Sequence, residues 1–379
     1  MNCRKKKEGS NVSLLQLNKS DLEYYLFFII IEIAEAINKG SSNQTVFLFS
    51  IVAIVFLLYK LISTQYSYLE LFFVMVLGGL SIMIFLNTKK LGGILSMIAL
   101  LGLKGVDPKK LLKLCLYLRS LSFAIVVGLT SFGVIQNTKL IHIRGDDSVV
   151  RYSMGFSHPN QFHLAFIILL LLCMYFYFEK LNIIHILVFS VLNLFVYSKS
   201  FSRTSCIIGF FAIFMMLWFK SKVFLKLKNM ICYSILPLGF AVSILPSLFY
   251  DKIAMIRTID RLLQWRITFS RYYLEKYEVK LFGNNLHNDS IVLDSGYIEL
   301  IVNYGLVFTI LYVIAFYILI HRFVKQEKYK ELLLIVCFLC YGITEAFIPN
   351  LFANVSMIFI GELIFPTKER ESVTKISIN

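Results

Sequence analysis

The chain alternates long apolar runs with short polar interruptions, and the runs are longer than a soluble core needs. They recur near the roughly 20 residues with which a helix crosses about 30 Å of hydrocarbon. The pattern predicts about twelve transmembrane helices, at 22–38, 46–62, 68–86, 91–104, 112–135, 162–178, 182–198, 205–219, 230–248, 296–320, 331–348 and 350–365. The expected fold class is all-α and polytopic. A single integral domain covers 22–365, between a polar N-terminal tail, 1–21, and a C-terminal tail, 366–379. Two connections, 136–161 and 249–295, are longer than most loops. In the second, Arg257, Arg261 and Trp265 recur four apart, which predicts one basic, aromatic helix face lying on the membrane surface.

Composition strengthens the membrane assignment: 58% of the 379 residues are hydrophobic, only 16% are charged, and Phe occurs 35 times. The leader "MNCRKKKEGSNVSLLQLNKS" lacks the features of a cleavable signal and reads as a retained cytoplasmic tail. A net charge of +15 could indicate nucleic acid, but the lysines sort by side instead. Clusters at Lys5–Lys7, at Lys109, Lys110 and Lys113, at Lys220, Lys222, Lys226 and Lys228, and at Lys325, Lys328 and Lys330 share one side when the N-terminus is inside. The positive-inside rule makes that side cytoplasmic. Cys337 and Cys340 form a CxxC within "LLLIVCFLCYGI", read as two small apolar residues one helical turn apart, not a disulfide or a zinc site.

Arginine departs from the lysine pattern. Arg144, Arg151, Arg203, Arg257, Arg261, Arg266 and Arg271 fall on the expected outer side, and Arg119 near the cytoplasmic end of its span. A guanidinium offers a rigid fork that matches phosphate oxygens, whereas lysine is a point charge. The alternative is ordinary pairing with Asp146, Asp147, Asp251 and Asp260.

Three outer helix starts gather polar side chains. In "GFSHPNQFHLAF", Pro159 suits a first helical turn, and His158, Asn160 and His163 surround a helix N-terminus, an anion site in its own right, with Arg151 shortly before. The alternative is that these groups satisfy helix-end backbone. In "SKSFSRTSCIIGFF", Arg203 sits among hydroxyls that can cap the helix or donate to an anion. In "GNNLHNDSIVLDSGYIELIVNYGLVF", Asp294 stands where a carboxylate could cap the helix or act as a general base, with His287 as a second candidate. There is no DxD, no HExxH and no carboxylate cluster at ligand spacing, so no metal or cofactor is called for.

Through "RYSMGFSHPNQ", "SFSRTS" and "DSGYIELIVNYGLV", the chain resembles the bacterial oligosaccharide repeat-unit polymerases of capsule and O-antigen assembly, relatives of the O-antigen ligases. The shared plan is roughly ten to fourteen spans with a catalytic outer loop late in the chain. Ligases carry a histidine in an "HN.Y" segment; here Asp294 precedes Ser295, Gly296 and Tyr297, a departure that favours a polymerase. The resemblance implies an inverting, metal-independent glycosyltransferase in the cytoplasmic membrane, with both termini inside and the active site outside. A glycan on undecaprenyl pyrophosphate would be the donor and a lipid-linked repeat unit the acceptor. Asp294 or His287 would be the base. Arg151, His158, Asn160, His163, Arg203, Arg257, Arg261, Arg266 and Tyr297 would hold pyrophosphate and glycan. Membrane lipid, a flippase and a chain-length regulator are the implied partners, and nucleic acid is not one. The rivals are a lipid-linked oligosaccharide flippase or other transporter and a ligase-type transferase. Transporters keep ionisable residues near the bilayer midplane, whereas Glu32, Glu35, Glu299 and Glu345 are expected mostly toward outer span ends, and no inverted repeat is visible.

Overall fold

A computed structural model describes residues 19–37, 43–144, 147–221, 223–286, 289 and 291–366. The apolar runs become helices α1 (Lys19–Ile37), α2 (Asn43–Ser63), α3 (Tyr68–Thr88), α4 (Leu91–Leu101), α5 (Pro108–Ser131), α6 (Pro159–Tyr177), α7 (Ile183–Ser200), α8 (Arg203–Lys220) and α9 (Leu225–Leu248). Two short helices follow, α10 (Ala254–Leu262) and α11 (Arg266–Lys276). A single turn, α12 (Gly296–Ile298), leads into a π-helical stretch, Glu299–Tyr304, and then come α13 (Leu306–Lys325) and α14 (Tyr329–Tyr341). A 3-10 stretch, Val355–Ile360, and a last turn, α15 (Gly361–Ile364), end the described chain.

Among the described residues, seven helices (α3, α5, α6, α7, α8, α9 and α13) are long and apolar enough to cross a membrane. This is the architecture of a multi-pass membrane protein. The twelve expected crossings are thus not all full-length apolar helices. The run at 91–104 yields the 11-residue α4, the run at 331–348 yields the 13-residue α14, and 350–365 yields turns and the 3-10 stretch. Helix α1 carries the carboxylates Asp21, Glu23, Glu32 and Glu35. Phe72, Met75, Leu187 and Phe195 on α3 and α7 stay exposed on the bundle exterior, as lipid-facing side chains would.

Helix α14 is apolar all round and is correspondingly enclosed: Leu332 through Leu339 are fully buried, packed against α6, α8, α9 and α13. It stops at Tyr341, where Gly342 opens an irregular segment that reaches Pro349 and beyond. Proline cannot donate to a helix ladder, so the buried backbone here needs side-chain partners. Asn354 Nδ2 supplies the Ile348 carbonyl at 3.0 Å, and Ser96 Oγ accepts from the Leu351 amide at 3.2 Å. Arg119 and Arg266 donate to the carbonyls of Phe352 and Thr344.

Both long connections carry structure. In the first, β1 (Lys139–Arg144) pairs antiparallel with β2 (Asp147–Tyr152), Leu140 opposite Arg151, so the fold is not purely α. In the second, α10 and α11 are followed by an irregular segment bonded to the start of α13 through Leu306 N to Lys280 O (3.0 Å) and Val307 N to Leu281 O (3.1 Å), and to the π-helical stretch through Asn284 N to Asn303 O (3.2 Å). The expected continuous span 296–320 is therefore interrupted at Gly305, with φ 88°. Gly283, with φ 84°, faces it across the junction; a Cβ there would stand 1.9 Å from the Asn303 carbonyl oxygen. Side chains at such positions cost about 1–2 kcal/mol for backbone handedness and about 1–3 kcal/mol for forced overlap. Gly283→Ala should lower the thermal midpoint of the detergent-purified protein by several degrees (about 2–4 °C per kcal/mol at domain size), read by fluorimetry. An unchanged midpoint would show the junction to be compliant.

Candidate active site

At one end of the bundle the chain assembles a buried network of arginines and carboxylates. Its first part follows from helix capping. His158 is the N-cap of α6 and accepts the Asn160 amide on Nδ1 at 3.1 Å, with Pro159 in the first turn. Strand alternation turns Arg151 of β2 inward, to 6% exposure, while Val150 beside it stays exposed. Arg151 Nε donates to the carbonyl of Ser200, the last residue of α7, at 2.8 Å, and Nη2 to Asn160 Oδ1 at 2.5 Å. His163, one turn further along α6, is fully buried between Ser200 Oγ (2.9 Å) and Asn193 Oδ1 (3.0 Å). Asn193 in turn donates to the Cys206 carbonyl at 2.9 Å, joining α7 to α8.

The second part is built by α11. Trp265 precedes it with φ 65° and Gln264 with φ 60°. Asp260, fully buried, takes the Ile267 amide at 2.8 Å and the Thr268 hydroxyl at 2.5 Å, which fixes the helix start. Arg266, its first residue, is thereby aimed at the irregular segment after α14. Nη1 donates to the Thr344 carbonyl, Nη2 lies 3.2 Å from Glu345 Oε1, and Nε lies 3.5 Å from Asp294 Oδ2. Asn160 Nδ2 reaches the same Glu345 oxygen at 3.4 Å. The two parts thus join into one chain of contacts, Asp294–Arg266–Glu345–Asn160–Arg151–Ser200–His163. Burial pushes the Asp294 carboxyl above its ordinary value, and the Arg266 charge pulls the other way.

The structure brings together Asp294, Arg266, Arg151, Asn160, His158 and His163, with His163 an interior strut between helices, away from the surface. Asp294 is not the helix cap: Ser295 holds that position without a side-chain bond, and Asp294 turns to Arg266. Tyr297 corrects the expectation most sharply. It is fully buried, donates to the Leu339 carbonyl at 3.0 Å and meets Phe240 edge-on at 4.8 Å, so it supports the core and has no exposed surface to offer a substrate.

Arg203 is exposed as the first residue of α8; beside it Ser205 bonds Ser202 at 2.8 Å and Tyr341 at 2.5 Å. Arg257 and Arg261 are exposed on α10 and outside the network. Their expected alignment with Trp265 fails because α10 ends at Leu262 and the chain turns left-handed before Trp265. Among the described residues, Arg203 and Arg261 have no carboxylate partner, whereas Arg271 pairs with Asp251 at 2.8 Å and Glu275 at 2.6 Å. His287 and Asp146 lie outside the described residues.

Glu345, in sequence an in-span acid near an outer end, sits at the centre of the network. Its sequence signal is an acid between Gly342 and Pro349 in an otherwise apolar run, a place where the backbone must leave the helix. Arg119 also moves: it lies midway along α5, bonded to Glu32 at 2.6 Å, beside a cavity of about 110 Å³.

Removing one partner of a buried ion pair leaves the other uncompensated, at about 3–5 kcal/mol. Arg266→Met should therefore lower unfolding stability by up to that order, and Arg266→Met with Glu345→Met should recover the share due to Glu345 while Asp294 still lacks its cation, measured by denaturation in detergent. Equal losses in the single and double variants would show the two groups uncoupled. Compared with family models, curated proteins and solved structures, the chain matches none of them.

Proposed function

We propose that the protein is a polysaccharide polymerase that joins lipid-diphosphate-linked oligosaccharide units by glycosyl transfer at the extracytoplasmic end of its helix bundle. The resemblance behind this proposal rests on three short motifs. The observation that carries it is Arg266 held between Asp294 and Glu345, with exposed guanidiniums close by in sequence: Arg203 three residues after Ser200, and Arg261 five before Arg266.

The arginines divide by their partners. Arg151 and Arg266 already answer carboxylate, amide and backbone oxygens, so they set positions. Among the described residues no carboxylate competes for the exposed Arg203 and Arg261, and a guanidinium in that state can meet the diphosphate of a donor. Asp294 keeps 25% of its side chain exposed and is oriented by Arg266. It takes the proton of the acceptor hydroxyl as that oxygen bonds to the donor's anomeric carbon. The anomeric carbon–oxygen bond to the diphosphate breaks, and the electron pair leaves on a phosphate oxygen, where arginine charge stabilises it. One displacement inverts the anomeric centre. A second reading, transport of a lipid-linked glycan, is favoured by the Arg119–Glu32 pair midway along α5, since ionisable residues inside spans mark transport paths.

The lipid-linked sugars that accumulate on gene deletion separate the two. A polymerase leaves single repeat units on the outer leaflet, and a flippase leaves them on the inner. Asp294→Asn should reproduce the single-unit phenotype with a rate loss of about a hundredfold or more, and Arg203→Ala should shorten the polymer while the protein remains inserted. Polymer of normal length in both would defeat the assignment. Because the ionised form of Asp294 is the active one and burial resists ionisation, the rate should rise with pH through a midpoint above about 4, the ordinary carboxylate value. A rate already level above that pH would exclude Asp294 as the base.

A further inference from the structure

A second cavity, of about 290 Å³, has polar walls and lies near the lower end of the roughly 300–1,000 Å³ typical of small-molecule pockets. Lys90, Asp289, Leu293, Glu299, Asn303 and Ala346 bound it. Leu293 and Ala346, which line it, are the chain neighbours of Asp294 and Glu345, so two of its walls stand one residue along the chain from the carboxylates. Glu299 and Asn303 belong to the π-helical stretch, a geometry frequent at functional sites.

The chemistry of the walls selects the ligand. Glu299 is only 2% exposed; its Oε1 pairs with Lys90, while its Oε2 is buried with no partner among the described residues. A buried acceptor left unmade costs about 1–3 kcal/mol, more when charged, so a donor is wanted there. With its amide turned to satisfy its neighbours, Asn303 donates to the Asn284 carbonyl at 3.1 Å and accepts from Lys90 at 3.2 Å. Asp289 takes hydroxyls from Tyr272 (2.9 Å) and Tyr277 (2.5 Å) and pairs with Lys276. Each anion is matched by a cation, so neither a phosphate nor a free metal ion is favoured. A neutral, hydroxyl-rich group suits the walls: its O–H groups donate to carboxylate and amide oxygens, its ring oxygen accepts from lysine, and its C–H face lies on Leu293 and Tyr273.

We propose that this cavity holds one sugar residue of the acceptor glycan, presenting a neighbouring hydroxyl to Asp294. The assignment rests on the glycosyl-transfer reading and adds the acceptor's location. The probe is the free glycan released by mild acid from the glycolipid that accumulates in the deletion strain. Its binding to purified full-length protein is measured by calorimetry. Ala346→Leu fills the cavity without removing a charge, and Glu299→Gln keeps the shape while neutralising the orphan acceptor. Both should weaken binding by about tenfold or more, with Ala346→Leu keeping its unfolding midpoint. Glycan that fails to bind the unaltered protein, or binds both variants equally well, overturns the pocket and leaves the polymerase reading standing. A deletion strain that accumulates no lipid-linked glycan overturns the polymerase reading, and this assignment with it.

Discussion

Arg266 reaches from the first turn of α11 to two carboxylates and a carbonyl that arrive from separate parts of the chain. Asp294 comes from the long connection before α13, and Glu345 and Thr344 from the irregular segment after α14. Charges taken out of water need opposite charges and hydrogen bonds around them. That requirement makes the guanidinium the fixed point about which both irregular segments are placed. It is met only because Asp260 anchors the start of α11, and because Gly342 and Pro349 release Glu345 from helical geometry.

The same device recurs at a second level of the bundle, where Arg119 pairs with Glu32 and donates to the Phe352 carbonyl. Non-helical backbone inside a membrane protein is tolerated where protein groups satisfy it, and the segment between α14 and the last 3-10 stretch is held by two arginines, one near each end. The arginines with carboxylate and carbonyl partners therefore serve the architecture. The binding capacity proposed for this end of the bundle falls to the exposed ones, Arg203 and Arg261, and to the partly exposed Asp294.

Much of this was legible in the apolar runs, because burial in lipid writes long continuous patterns that survive any detail of packing. Helix α6 and its proline-marked start follow directly from such a run and from capping chemistry. The hairpin was legible too, since "KLIHIR" and "DSVVRY" flank a Gly-Asp pair, a two-residue hairpin signature, although by length alone the connection is only a long loop. The break at Gly305 depends on Gly283 and its neighbours docking against it, which no local pattern encodes. The Arg266–Glu345 pair joins residues 79 apart, and so it too belongs to tertiary structure. Tyr297 misled because an aromatic beside a candidate base looks like a sugar contact, while its burial against Phe240 and Leu339 is decided by helix packing. The even spacing of Arg257, Arg261 and Trp265 suggests one helix, but two left-handed residues, Gln264 and Trp265, end the series.

Everything proposed for the guanidinium-rich end of the bundle requires that it face outward. Labelling of an Arg203→Cys variant in intact cells with a membrane-impermeant maleimide tests this most directly, against the wild-type chain, whose described cysteines are buried or partly buried. Labelling from outside without permeabilisation is the predicted result. Labelling only after the membrane is opened would put Arg203, and the network three residues away, on the cytoplasmic side and contradict the account.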